Sequence, residues 1–156
     1  MKILYICTHN RCRSILSDAI TNHFAQGKIV AKSAGSQPVG EVHPLSIKYL
    51  QEVGISTEGL ISQSWDEFED FEADIVVTVC DSAAGESCPV WFGNSLKVHW
   101  GLTDPSKLEG TEEQLADAFR ATIAEIRERV EQLVKIDADL KDKKALKLAL
   151  ENLGAN

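Results

Sequence analysis

Four short apolar runs, each closed by a polar or glycine-bearing break, constrain this chain more than any other feature. Residues 2–7 (Lys-Ile-Leu-Tyr-Ile-Cys) and 75–80 (Ile-Val-Val-Thr-Val-Cys) are nearly continuous, the pattern of strands buried on both faces. Weaker runs at 28–34 and 96–100 read as two further strands. Between them lie segments of helical spacing. Ile15, Leu16, Ala19, Ile20, His23 and Phe24 recur as one core-facing stripe that Gly27 stops. Leu45, Ile47, Tyr49 and Leu50 fit a helix from Pro44 to Val53, with proline suited to its first turn and Gly54 to its end. Thr111-Glu-Glu-Gln114 has the capping-box pattern and opens a long amphipathic helix through Leu115, Phe119, Ile123, Ile126, Val130 and Val134. Strands alternating with helices call for one α/β domain, with a parallel sheet, right-handed crossovers and helices on both faces. That domain is expected to span residues 1–136. Residues 137–156 hold four lysines and four acidic residues, as expected of a charged C-terminal helix or tail.

Composition limits the partners. The net charge is −8, yet residues 1–35 carry Lys2, Arg11, Arg13, Lys28 and Lys32 against Asp18 alone, a net +4, which leaves −12 for the rest. A small basic pole on an acidic body suits a small anion and argues against nucleic acid or an anionic membrane. Asp66 to Asp74 holds six carboxylates in nine residues, read as a solvated loop or helix face. No segment approaches the roughly 18 to 20 apolar residues of a membrane span. The first apolar run is about half a signal-peptide core. A cytoplasmic location is therefore expected, where Cys7, Cys12, Cys80 and Cys88 rest as thiols.

The segment Cys7-Thr8-His9-Asn10-Arg11-Cys12-Arg13-Ser14 separates the first strand from the first helix. A loop entering a helix N-terminus turns backbone N–H groups inward, and the helix dipole adds positive potential. Such a loop can hold a tetrahedral oxyanion, with Arg13 as a bidentate partner. The same field favours the Cys7 thiolate, a nucleophile at neutral pH, to which Ser14 can donate a hydrogen bond. A cysteine five residues before an arginine also fits a buried thiol beside a surface arginine. The strand before, the helix after and the serine that follows favour the anion loop.

Cys7-Thr-x-Asn-x-Cys-Arg-Ser14 resembles the signature of the low-molecular-weight tyrosine phosphatase superfamily, and its arsenate reductase branch in particular. Ser33-Ala-Gly35, Val79-Cys-Asp81, Cys88-Pro89 and His99-Trp-Gly-Leu-Thr-Asp-Pro105 are further matches, over roughly residues 2–135. The resemblance implies a three-layer α/β sandwich whose four parallel strands run in the order 2-1-3-4, and an anion loop of residues 8–14 that takes arsenate or phosphate. That order makes the first and third strands neighbours, about 4.7–4.9 Å apart, so the thiol of Cys80 is placed to attack an adduct on Cys7. Cys88, eight residues further on, would then carry the oxidation away from the loop. The resemblance makes Asp104 the general acid for a departing oxygen. It also implies an external thiol donor, thioredoxin or glutathione with glutaredoxin.

The resemblance implies no resident cofactor or metal beyond that donor. Members of the branch differ in binding a monovalent cation, and the spacing of the four cysteines does not suit structural zinc. Asn10 holds the position that organises the loop. Arg11 departs from the small polar residue usual there, and Cys12 is read as packing. His43 and His99 are read as structural, and Trp65, Trp91 and Trp100 as packing residues. The alternative function is a phosphatase acting on phosphate monoesters. Against it, Ser106 and Lys107 stand where phosphatases of this family carry tyrosines after the Asp-Pro.

Overall fold

The computed structural model describes residues 2–25, 27–79, 96–102, 105, 109–137 and 143–154. Four strands, β1 (Lys2–Ile6), β2 (Val30–Ala34), β3 (Ile75–Thr78) and β4 (Leu96–His99), form one sheet in the order β2-β1-β3-β4. All pairings are parallel, with Ile6 opposite Ala34 on one side and Thr78 on the other. This is the expected order. The expected strands at 28–34, 75–80 and 96–100 are shorter: Lys28 sits in the turn before β2, and Cys80 lies outside the described residues.

Burial follows strand position. Ile3, Leu4, Tyr5 and Ile6 of β1 and Ile75, Val76 and Val77 of β3 are all buried, so both faces of the central pair are covered. The edge strands β2 and β4 alternate exposed and buried positions. The continuous apolar runs thus mark the central strands and the weaker runs the edges.

Among the described residues four α-helices flank the sheet: α1 (Arg13–Ala25), α2 (Pro44–Glu52), α3 (Glu112–Asp137) and α4 (Lys143–Gly154). Helix α1 packs on β1, β2 and α3, and buries polar Ser14, Ser17, Asp18 and Thr21 together with its apolar stripe. His23 does not join that stripe. It is exposed, with its ring edge against Phe24, and it lines an open polar pocket beside Ser56 and Glu58 rather than the core. Helix α2 starts at Pro44 behind His43, whose Nδ1 accepts the Leu45 amide at 3.1 Å. Helix α3 starts with the reciprocal box: Gln114 N–H donates to Thr111 Oγ1 (3.2 Å), and Thr111 N–H donates to Gln114 Oε1 (2.9 Å). Its buried face runs through Phe119, Ile123, Ile126, Val130 and Leu133.

The carboxylate-rich segment forms a 3-10 helix, Trp65–Phe71. Asp66, Glu67, Asp70, Glu72 and Asp74 are exposed, while Phe68 and Phe71 pack inward against each other, so the solvated-face reading holds for these side chains. Asp74 also fastens the start of β1, accepting the Lys2 backbone amide at 2.8 Å. Helix α4 packs on β4 and α3. Its Leu150 is fully buried, and the Leu150 carbonyl accepts the indole N–H of buried Trp100 at 2.8 Å. No helix among the described residues is long and apolar enough to cross a membrane.

Candidate active site

The sequence places Cys7 where β1 stops, and the sheet delivers it to the first turn of α1. Its backbone N–H still donates to Ala34 O of β2 (3.2 Å), so the residue is anchored at the strand end. The chain then turns sharply. Asn10 takes the left-handed conformation at φ 47°, which Asn tolerates better than most residues, and it is fully buried. Its amide donates to Ser14 Oγ at 2.8 Å and its carbonyl oxygen accepts the Gln63 backbone N–H at 2.8 Å. One side chain therefore ties the loop both to the helix it enters and to a neighbouring segment.

The outer side of the loop is fastened residue by residue. Thr8 O accepts Gln37 N–H (2.9 Å), and His9 O accepts Val39 N–H and Ser62 Oγ, each at 3.2 Å. Arg11 O accepts His43 N–H (2.9 Å) and Ser46 Oγ (3.4 Å), which ties the loop to the start of α2. Cys12 O accepts Leu16 N–H (2.8 Å), the first helical bond of α1. With its outward carbonyls engaged, the loop sits over a helix N-terminus whose first turn holds no acidic residue. A concavity of this kind suits an anion.

Gly35 accounts for the Ser-Ala-Gly match at the end of β2. A Cβ added there would lie 2.5 Å from Thr8 O and 2.7 Å from Cys7 O, both backbone atoms that cannot swing aside. Only glycine lets the two chains approach so closely. Gly35 is also bracketed by Gln63 O, which accepts its N–H at 2.9 Å, and Trp65 N–H, which donates to its carbonyl at 3.0 Å.

The structure brings Cys7, Thr8, Asn10, Cys12, Arg13 and Ser14 together in this one loop, with His9 and Arg11 exposed on its outer surface. Cys7 and Cys12 are both buried thiols. Arg13 Nη1 donates to Leu102 O (3.0 Å), which draws the segment after β4 to the loop. On the opposite side, Val79 N–H donates to Ile6 O (3.0 Å), so β3 also leaves the sheet beside Cys7. Cys80, Cys88 and Asp104 lie outside the described residues, as does Trp91. His43 caps α2, and exposed His99 is hydrogen-bonded to Thr78 Oγ1 at 2.8 Å, so both have the structural contacts expected of them. Among the described residues no group of three or more His, Cys, Asp or Glu is placed to hold a metal ion.

Two participants in the loop's support went unread in the sequence. Gln63 receives Gly35 and donates to Asn10, yet it stands in a polar stretch without periodicity or motif. Asp18 was visible only as a charge. It interrupts the apolar stripe of α1 between Ile15 and Ala19, a position that signals a buried, partnered carboxyl. Burial pushes its carboxyl up from 3.8 to about 6, against the hydrogen bonds from Ser33 and Asn22 and the charge of Lys32, which hold it down. Burial likewise raises the Tyr5 phenol, which is hydrogen-bonded to Thr21 at 2.7 Å.

Known proteins are similar to this chain. An arsenate reductase of Halalkalibacterium halodurans is 36% identical over 128 residues, or 82% of this chain and 91% of that protein. A glutaredoxin arsenate reductase of Synechocystis is 29% identical over 133 residues, 85% of this chain and 95% of that protein. The solved thioredoxin-dependent arsenate reductase of Corynebacterium glutamicum superposes with a TM-score of 0.68 at 27% identity, covering 88% of this chain and 61% of that one. The sequence profile of the low molecular weight phosphotyrosine protein phosphatases runs from residue 2 to residue 146, taking in the anion loop and the whole sheet. The chain belongs to that family.

Proposed function

We propose that the chain reduces arsenate to arsenite through a relay of three thiols. The observation that carries this reading is the loop itself: Cys7 stands at the N-terminus of α1, in a frame closed by Gly35, Asn10 and Ser14. Such a frame binds a tetrahedral oxyanion and stabilises a thiolate beside it. Arsenate docks on the backbone N–H groups of the loop and on Arg13. The Cys7 thiolate attacks arsenic, and Asp104 protonates the oxygen that leaves as water. Ser14, whose oxygen accepts the Asn10 amide, keeps its own proton for the Cys7 sulfur.

Cys80 then attacks the Cys7 sulfur. The electron pair of the Cys7–As bond stays on arsenic, which departs as arsenite and leaves a Cys7–Cys80 disulfide. Cys88 attacks Cys80, releases Cys7 as thiolate and moves the disulfide to Cys80–Cys88. An external dithiol of the thioredoxin or the glutathione/glutaredoxin system returns that disulfide to two thiols in the cytoplasm. Both kinds of donor are named among the relatives, which supports a thiol-coupled cycle without choosing between them. The cycle requires no bound cofactor.

Arsenite formation, assayed with each donor system for the wild type and for Ser variants of the four cysteines, tests the relay. Cys7→Ser abolishes the reaction, Cys80→Ser and Cys88→Ser prevent multiple turnover, and Cys12→Ser stays within a few-fold of wild type. Full multiple turnover by Cys80→Ser removes the relay. Hydrolysis of phosphate monoesters that survives loss of both Cys80 and Cys88, with no arsenite formed, makes the chain a phosphatase instead.

A further inference from the structure

The segment that follows β4 is held from three sides. Trp100 N–H donates to Thr78 O (2.8 Å) and Leu102 N–H to Val79 O (3.0 Å), so residues 100–102 continue the pairing with β3 as far as Val79. Leu102 O accepts Arg13 Nη1 at 3.0 Å. On the far side, the indole N–H of Trp100 donates to Leu150 O of α4 at 2.8 Å.

Trp100 is the joint between these holds. It is buried, with its ring against Tyr5 of β1 (centroids 6.2 Å apart) and the Arg129 guanidinium 5.9 Å from its centroid. Glu125 pairs with that guanidinium at 2.7 Å. A buried N–H left without an acceptor costs about 1–3 kcal/mol, so the indole follows the carbonyl that α4 offers. The family profile ends at residue 146, ahead of Leu150. The acceptor therefore comes from beyond the stretch that the profile defines.

An arginine carries five N–H donors, and a bidentate anion contact takes two of them. The bond to Leu102 O thus fixes the direction of the Arg13 fork and still leaves donors for an oxyanion. Leu102 O is a backbone atom two residues from Trp100, so a shift of the indole is passed to it along the chain.

We propose that Trp100 is a positioning residue for Arg13: α4 fixes the indole through Leu150 O, and residues 100–102 carry that constraint to the guanidinium. The inference rests on the reading of Arg13 as the partner of the oxyanion in the loop.

The test is calorimetric titration of the full chain with inorganic phosphate, as a double-mutant cycle with Arg13. Trp100→Phe keeps an aromatic ring and removes the N–H. In the wild-type background it weakens phosphate binding about fivefold, and in the Arg13→Ala background less than about twofold, because the loss passes through the guanidinium. The KM for arsenate rises by the same factor as the phosphate dissociation constant. Equal losses in the two backgrounds mean that Trp100 only braces the fold, and phosphate binding unmoved by Trp100→Phe means that the indole does not reach Arg13. Either result overturns the proposal. Should Trp100→Phe fail to fold, Leu150→Ala, which loosens the helix that carries the acceptor, goes through the same cycle and decides by the same two readings. Arg13→Ala that binds phosphate as tightly as the wild type counts instead against Arg13 as the oxyanion partner.

Discussion

Gly35 and Asn10 hold the anion loop in complementary ways. Gly35 is needed for what it lacks, since a methyl group there meets two backbone carbonyls well inside van der Waals contact. Asn10 is needed for its amide, which joins Ser14 to Gln63 across a left-handed turn. Gly35→Ala therefore forces Cys7 and Thr8 to move. Overpacking of this kind costs about 1–3 kcal/mol, and here the strain falls on the backbone of Cys7 and Thr8. Urea denaturation is expected to show that loss, and arsenite formation to fall more than tenfold. A variant of wild-type activity would mean that the loop tolerates the shift. The Ser-Ala-Gly and Cys-x-x-Asn patterns made both residues readable in the sequence. Gln63 was not readable, because its three contacts are made to residues 33, 35 and 10, all distant in the chain.

At the level of elements, local chemistry fixed where helices begin. The Thr111–Gln114 box and the His43–Pro44 start formed where their side chains could satisfy the first N–H groups, a requirement set within four residues. Periodicity was less complete. It gives the direction of His23 on α1 but not what lies in that direction, and nothing in the chain's local pattern showed that the space there was open to solvent. Helix α4 is the converse case. Its charge suggested a helix or tail and gave no sign of core packing, yet Leu150 enters the core and its carbonyl receives Trp100. Truncating a fully buried leucine costs about 2–5 kcal/mol, so Leu150→Ala is expected to lower the urea midpoint by a corresponding amount. A loss below about 0.5 kcal/mol would place α4 outside the cooperative fold.

For the molecule as a whole, the basic pole resolves into parts with separate uses. Arg13 reaches the segment after β4, Arg11 lies exposed on the loop, and Lys32 offsets the charge of Asp18 across the edge strand. Asp18 also makes stability depend on pH. Its carboxyl is raised in the folded protein from 3.8 to about 6, so between those values the folded state binds the proton more tightly than the unfolded chain. Stability from this group is thus present below about pH 4 and lost as pH rises to about 6, a change of about 3 kcal/mol. Asp18→Asn should show that loss no longer: its unfolding free energy relative to wild type should rise by about that amount between pH 4 and pH 7. Parallel curves would place the titration elsewhere.

The sequence by itself determined that the chain makes a parallel α/β sheet and that a cysteine stands at the loop entering a helix N-terminus. Those features are written in contiguous residues: apolar runs, helix caps and the eight positions from Cys7 to Ser14. Only the tertiary structure decided what holds the loop in shape. The clasp of Asp18, Asn22, Ser33 and Gln63 is assembled from α1, β2 and the segment before the 3-10 helix. Its members meet because parallel pairing sets β2 beside β1, and hydrogen bonds between residues so far apart in the chain leave no period or motif to read.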